Sequence, residues 1–178
     1  MTAAELLSVA AFIDGLHAQA FPSFGSERTG APVVSFTRFD DKPIRLREPI
    51  EEPDALIIQD PTLIAANIFA GVAHSAFVII NSGKDWDELT VGDGVVERDP
   101  KRHFTVPASD YAMQFIGKPL PNAALLGAFA AATGQVRLES VLKAIAERFP
   151  AKVAAANQKA AQAAFDHVSA RLSEVHSA

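Results

Sequence analysis

Apolar residues recur along this chain in distinct rhythms, and each rhythm predicts a different kind of element. Near the start, Leu6, Val9, Ala10, Ile13 and Leu16 share one face at helical spacing, and Thr2 followed by Glu5 has the form of a capping box. Pro32 to Phe39 instead alternates around Val34 and Phe36 and is rich in β-branched and aromatic side chains, which predicts a strand. Ala55 to Ile58 and Ala76 to Ile80 are short continuous apolar runs that end in Gln59-Asp60-Pro61 and Asn81-Ser82-Gly83. Such runs are expected of parallel strands buried on both faces. Between them Leu63, Ile64, Asn67 and Ile68 return at helical spacing, so the segment predicts a β-α-β unit.

The second half reads as helical. Phe104 to Pro107 leads to Ser109, an N-cap candidate for a short helix through Ile116, and Pro119 and Pro121 precede the next helix. That helix carries Ala123, Ala124, Gly127, Ala128, Ala131 and Ala132, a smooth surface that admits a close backbone neighbour, either inside the domain or at a subunit contact. Leu138, Val141, Leu142, Ile145 and Phe149 form one stripe, and Pro150 separates it from a long alanine-rich helix with a weak stripe at Ala160, Ala164, Val168 and Leu172. The whole predicts an α/β chain: a single three-layer domain over 1–178 with a largely parallel central sheet flanked by helices and a long C-terminal helix.

Two stretches fit neither rhythm. Gln19 to Val34 packs glycines, prolines, aromatics and the adjacent pair Glu27 and Arg28 between a helix and a strand, so the backbone must turn tightly while presenting charge. Asp40 to Pro53 carries Arg45 and Arg47 among three prolines and five acids and must lie on a surface or an interface, its arginines either solvated or touching an anion or a partner. Asp85 to Arg102 mixes glycines and acids with Trp86, and predicts an irregular excursion or hairpin in which the indole covers the edge of the core.

Composition narrows the function. With 178 residues, 49% hydrophobic and 21% charged, the chain is long enough to bury a sizeable core. A net charge of -5 with no local basic cluster argues against nucleic acid. The absence of cysteine means that this polypeptide cannot hold an iron–sulfur cluster through thiolates. No apolar run is long enough to span a bilayer and no basic stretch precedes an apolar one at the start, so the expectation is no membrane association and a cytoplasmic location. His17, His74, His103, His167 and His176 are scattered without metal spacing, and Gly92-Asp93-Gly94 has no following helix to cradle phosphate. These residues alone make a poor enzyme. In open parallel sheets ligands sit beyond the carboxyl ends of the strands, which nominates Asp60, Thr62, Asn81, Ser82 and Lys84, with helix capping the alternative for Asp60 and Thr62.

Ala18-Gln19-Ala20-Phe21-Pro22-Ser23-Phe24-Gly25-Ser26-Glu27-Arg28-Thr29-Gly30-Ala31-Pro32-Val33 resembles the signature loop of the gamma subunit of the 2-oxoacid:ferredoxin (acceptor) oxidoreductases, the pyruvate and ketoisovalerate synthase type. Pro43-Ile44-Arg45 with Pro49-Ile50, Asp60-Pro61-Thr62-Leu63, Ile79-Ile80-Asn81-Ser82, Val106-Pro107-Ala108, and Pro121-Asn122 with Leu126-Gly127-Ala128-Phe129 match the family in order, so the resemblance covers nearly the whole chain. It implies a non-catalytic-core subunit of a complex that oxidatively decarboxylates a 2-oxoacid to its acyl-CoA and passes electrons to ferredoxin or a similar acceptor. Thiamine diphosphate, magnesium and [4Fe-4S] clusters are then expected on alpha, beta and delta-type partners, with coenzyme A as co-substrate and none of the cofactors bound by this chain alone. Ser23, Phe24, Gly25, Glu27, Arg28 and Gly30 match the signature as a contact loop for coenzyme A or a partner, with Arg45, Asn81, Ser82, Lys84 and Asn122 as additional contacts.

Thr29 and Ala31 depart from the signature, standing where bulkier or glycine residues are common. The family also has a strand and a Gly-Gly-Gln-Gly-like loop ahead of the residues matching Thr2 to Leu7, so a longer natural polypeptide is the expectation. Two rivals stand beside this reading. One is a gamma-type subunit of an aromatic 2-oxoacid (indolepyruvate or phenylglyoxylate) oxidoreductase; the other is a stand-alone α/β module that binds a small anion.

Overall fold

The computed structural model describes residues 2–23, 33–65, 68–69, 71–89 and 99–177. Helix α1 (Thr2–Ile13) leads into an antiparallel ribbon of β1 (His17–Pro22) and β2 (Ser35–Asp40). A parallel sheet follows, built from β3 (Ala55–Ile58), β4 (Phe77–Asn81) and β5 (His103–Val106) in the order β3-β4-β5. The chain closes with α2 (Ala108–Ile116), α3 (Asn122–Thr133), α4 (Leu138–Arg148) and α5 (Ala151–Ser177).

The two continuous apolar runs form β3 and β4, and β4 shows why they had to be apolar throughout. Ile79 faces one hydrophobic cluster, shared with Phe104, Val106 and helices α1 to α5, while Val78 and Ile80 face a second with Ile58, Ile64 and Trp86. A strand covered on both sides has no solvent face on which a polar residue would be tolerated. This is the α/β arrangement expected, with a parallel central sheet and a long last helix.

Helix α3 lies at the centre of the larger cluster, buried almost all round between α5, α4 and α1. Its small residues serve close packing inside the domain: a Cβ added at Gly127 would lie 1.9 Å from the Ala161 carbonyl oxygen, so the α3 and α5 backbones are nearly in contact there. The weak stripe on α5 is the face that meets α3, with Ala160, Ala164 and Val168 fully buried.

Several local expectations are corrected. Gln19 to Pro22 is not loop but the second part of β1, and its exposed-to-intermediate pattern, with a histidine, a glutamine and a proline, hid the strand. Residues 103–106 are not a mere lead-in to α2 but a strand, whose pattern is interrupted by the buried His103. The connection from β3 to β4 opens as a 3-10 turn, Pro61–Ala65, rather than an α-helix, and Asn67 lies outside the described residues. On α1 the buried face is Ala3, Leu6, Leu7, Ala10 and Ala11, so Val9 is exposed and Leu16 follows the helix as a partly buried residue. Thr2 is the first helical residue, which moves the cap position outside the described residues. Trp86 does cover the core, stacked on His103 with ring centroids 5.0 Å apart; residues 90–98 of that excursion lie outside the described residues.

Candidate functional site

The carboxyl ends of β3, β4 and β5 open into one cleft of about 530 Å³, lined by Pro61 and Thr62 after β3, by Asn81, Ser82, Gly83 and Lys84 at the end of β4, and by Pro107, Ser109 and Asp110 after β5. Glu88 and Leu89 complete the lining. Its position follows from the topology, since each parallel strand delivers its last side chain and the start of its loop to the same edge.

Asn81 organises this edge. It is buried at 7% exposure, and its Nδ2 donates to the Gln59 carbonyl and to Ser109 Oγ, each at 2.8 Å, while its Oδ1 accepts the Ser109 backbone N–H at 3.0 Å. One side chain thereby ties β3, β4 and the first turn of α2 together. Ser82 is half-buried; its N–H donates to the Val106 carbonyl at 2.9 Å and its Oγ accepts the Lys84 N–H at 3.0 Å. Lys84 is exposed at the mouth. Asp60 accepts both the N–H (2.9 Å) and the hydroxyl (2.7 Å) of Thr62, and these bonds hold its carboxyl below the usual range. Asp60 is therefore a turn-capping residue, and it leaves Thr62 to line the cleft.

Ser109 is where sequence reasoning assigned the wrong role. Pro107 occupies the N-cap position of α2 without a side-chain cap bond, and Ser109 sits inside the first turn, held by Asn81 and facing the cleft. Its place shortly after the strand end in Val106-Pro107-Ala108 was the available signal. Farther along α2, the Tyr111 hydroxyl meets Nδ1 of His167 on α5 at 3.1 Å. Burial raises the Tyr111 pKa, helped by the charges of Asp110 and Asp166. Burial likewise lowers that of His167, against the opposing effect of its bond to the Thr105 carbonyl.

The described start of the signature stretch, Ala18 to Ser23, lies in and just after β1 and does not line this cleft. Ser23, half-buried, donates its N–H to the Val34 carbonyl at 2.9 Å and so extends the ribbon by one more bond. Phe24, Gly25, Glu27, Arg28 and Gly30 lie outside the described residues. Within the ribbon, Phe21 and Phe36 pack at 5.4 Å, and the Arg38 guanidinium lies 5.8 Å over Phe21 while donating to the carbonyls of Leu46 (3.4 Å) and Glu48 (3.2 Å). Gln19 also donates to the Leu46 carbonyl. The ribbon thus carries the 41–50 segment on its flank, with Arg45 exposed upon it. Asn122, half-buried, opens α3 away from the cleft lining. Of the nominated residues, Asn81, Ser82, Lys84 and Thr62 come together; Arg45, Asn122 and the described part of the signature loop do not join them.

Among the described residues no group of three or more His, Asp or Glu side chains is placed to hold a metal ion. No helix among them is long and apolar enough to cross a membrane.

The family model for pyruvate ferredoxin/flavodoxin oxidoreductase matches residues 1–167 of the chain. The chain belongs to that family. Its relatives include the pyruvate/ketoisovalerate oxidoreductases common subunit gamma of Pyrococcus abyssi, 44% identical over 167 residues, covering 93% of this chain and 89% of the relative. The pyruvate synthase subunit PorC of Methanocaldococcus jannaschii is 44% identical over 169 residues, 94% of this chain and 89% of that one. Among solved structures of this oxidoreductase family, the pyruvate oxidoreductase subunit PORC of Thermotoga maritima superimposes with a TM-score of 0.78 at 32% identity, over 93% of this chain and 87% of that chain.

Proposed function

We propose that this chain is the gamma subunit of a thiamine-diphosphate-dependent 2-oxoacid:acceptor oxidoreductase that converts a 2-oxoacid and coenzyme A to acyl-CoA and carbon dioxide, with electrons leaving to ferredoxin or a similar acceptor. The observation that carries the reading is the 44% identity, over 93% of the chain, to a relative named as a common gamma subunit of pyruvate and ketoisovalerate oxidoreductases. Within the complex the gamma chain holds the assembly together and forms part of the coenzyme A side of the site. The absence of cysteine supports a division of labour in which clusters sit on partner chains, and thiamine diphosphate and magnesium are assigned to partners as well.

Two surfaces serve that role. The cleft at the strand ends, with Thr62, Ser82, Lys84 and Ser109, offers directed polar groups to part of the coenzyme A molecule. The signature stretch that contains Glu27 and Arg28, which follows β1 in the chain, makes the contact to a neighbouring subunit or to the coenzyme. Reconstitution tests the reading: the partner subunits with and without this chain are assayed for pyruvate-dependent, coenzyme A-dependent reduction of a viologen dye. Activity that requires this chain is expected, and this chain alone should form no acyl-CoA. Full activity of the partners in its absence would refute the proposal.

A further inference from the structure

Helix α2 is capped from outside its own sequence. Its N-cap residue, Pro107, makes no side-chain cap bond, yet the Ser109 N–H of the first turn is satisfied at 3.0 Å by Asn81 Oδ1, from the end of the neighbouring strand. The orientation of the Asn81 amide is not free. An N–H can only donate and a main-chain carbonyl can only accept, so Ser109 N–H demands the oxygen and the Gln59 carbonyl demands the nitrogen, and both demands are met at once.

This arrangement has a chemical consequence for Ser109. The second hydrogen of Asn81 Nδ2 goes to Ser109 Oγ at 2.8 Å, so the hydroxyl oxygen is occupied as an acceptor and its own hydrogen must point away from Asn81. Ser109 lines the cleft. Ser82 Oγ is set the same way by the Lys84 N–H at 3.0 Å. Thr62, by contrast, gives its hydrogen to Asp60 and offers lone pairs. Glu88 and Asp110 share the lining, and Glu88 accepts the Asp85 N–H at 2.9 Å, so recognition here rests on directed hydrogen bonds and not on a positive field.

We propose that Asn81 is the positioning residue of the cleft, fixing Ser109 as a hydroxyl donor aimed at an acceptor oxygen of coenzyme A. The inference rests on the coenzyme A reading above and deepens it. Both amide hydrogens of Asn81 are taken by the Gln59 carbonyl and Ser109 Oγ, so it acts through Ser109 and through the β3 and α2 ends it joins.

The test uses the assembled complex with Asn81→Asp, Ser109→Ala, the two combined, and Lys84→Ala. Asn81→Asp retains an oxygen for the Ser109 N–H but loses both amide donors. The KM for coenzyme A, relative to that for the 2-oxoacid, is expected to rise about tenfold in Asn81→Asp and in Ser109→Ala, the scale of one hydrogen bond. The combined variant should be no worse than the larger single, because both remove the same interaction. Should Asn81→Asp not fold, Ser109→Ala decides alone. A rise with Lys84→Ala but none with Ser109→Ala would overturn the inference and leave the coenzyme A reading standing. A KM for coenzyme A unmoved by both Lys84→Ala and Ser109→Ala would overturn the cleft's assignment to coenzyme A and the inference with it.

Discussion

Gly127 of α3 and Ala161 of α5 approach so closely that a methyl group on the glycine would sit 1.9 Å from the Ala161 carbonyl oxygen and 2.6 Å from its carbonyl carbon. Both are backbone atoms, so relief would require the helices to move apart. In an exposed helix a Gly→Ala change stabilises by about 1 kcal/mol. Here overpacking, about 1–3 kcal/mol and at the upper end when backbone must shift, outweighs it. Gly127→Ala should lower stability by about 2 kcal/mol in urea unfolding of the chain; a gain in stability would show that α3 and α5 are not in this register.

Asp14 joins the end of α1 to the start of α4. Its carboxylate, 10% exposed, accepts the Arg137 N–H at 2.8 Å, the Arg137 Nε–H at 2.6 Å and the Ser140 hydroxyl at 2.5 Å. Burial is the largest single influence and pushes its pKa up, but the bonds from Ser140 and from the backbone and side chain of Arg137 together hold it below the usual carboxylate value. The folded state thus binds the proton less readily than the unfolded one. The stabilisation is present above the ordinary value of 3.8 and is lost as pH falls below it, through the lower folded pKa. Asp14→Ala should cost about 1 kcal/mol near neutrality, as for other lost caps. The gap from the parent should close on acidification below about pH 4; a gap unchanged by acid would contradict the assignment.

His167 gives the opposite case at higher pH. Burial lowers its pKa from 6.5 in spite of the bond to the Thr105 carbonyl, which acts the other way, so protonation favours the unfolded chain. Stability is complete above 6.5 and declines as pH falls from there towards the folded pKa. Melting of the free chain between pH 7.5 and 5 should show that decline, and His167→Gln should flatten it. An equal slope in the variant would place the titrating group elsewhere.

Arg38 holds the 41–50 segment on the ribbon through the carbonyls of Leu46 and Glu48 while lying over Phe21. Arg38→Ala should leave the core intact and speed tryptic cleavage at Arg45 and Arg47 several-fold, and Arg38→Lys should not restore protection, because one ammonium cannot reproduce the planar fork. Unchanged cleavage would mean that the segment is held by other contacts.

The elements legible in the sequence were those whose burial leaves no alternative. Ala55 to Ile58 and Phe77 to Ile80 are apolar on both faces because both faces are covered, and the stripe on α4 is apolar where it meets the core. Strand β5 was obscured because its buried histidine is accommodated by stacking on Trp86, a contact that no local pattern reveals. Strand β1 was obscured because it belongs to a two-stranded ribbon with half-buried faces. The rule that ligands sit beyond strand ends points to Asn81, Ser82 and Lys84, and all three line the cleft. Ser109 was read as a cap because the residue that caps α2 lies 28 positions away in sequence.

As the gamma subunit of a larger oxidoreductase, this chain should be found in cells bound to its partners. Co-expression with the products of neighbouring genes, followed by native mass measurement of the purified material, tests it most directly. The chain should be recovered in a heteromeric assembly containing a thiamine-binding subunit, and Arg28→Ala should reduce that recovery while the free variant melts like its parent. Recovery of the chain only as a free species, with the partners assembling into an active complex without it, would rule out a role as their gamma subunit.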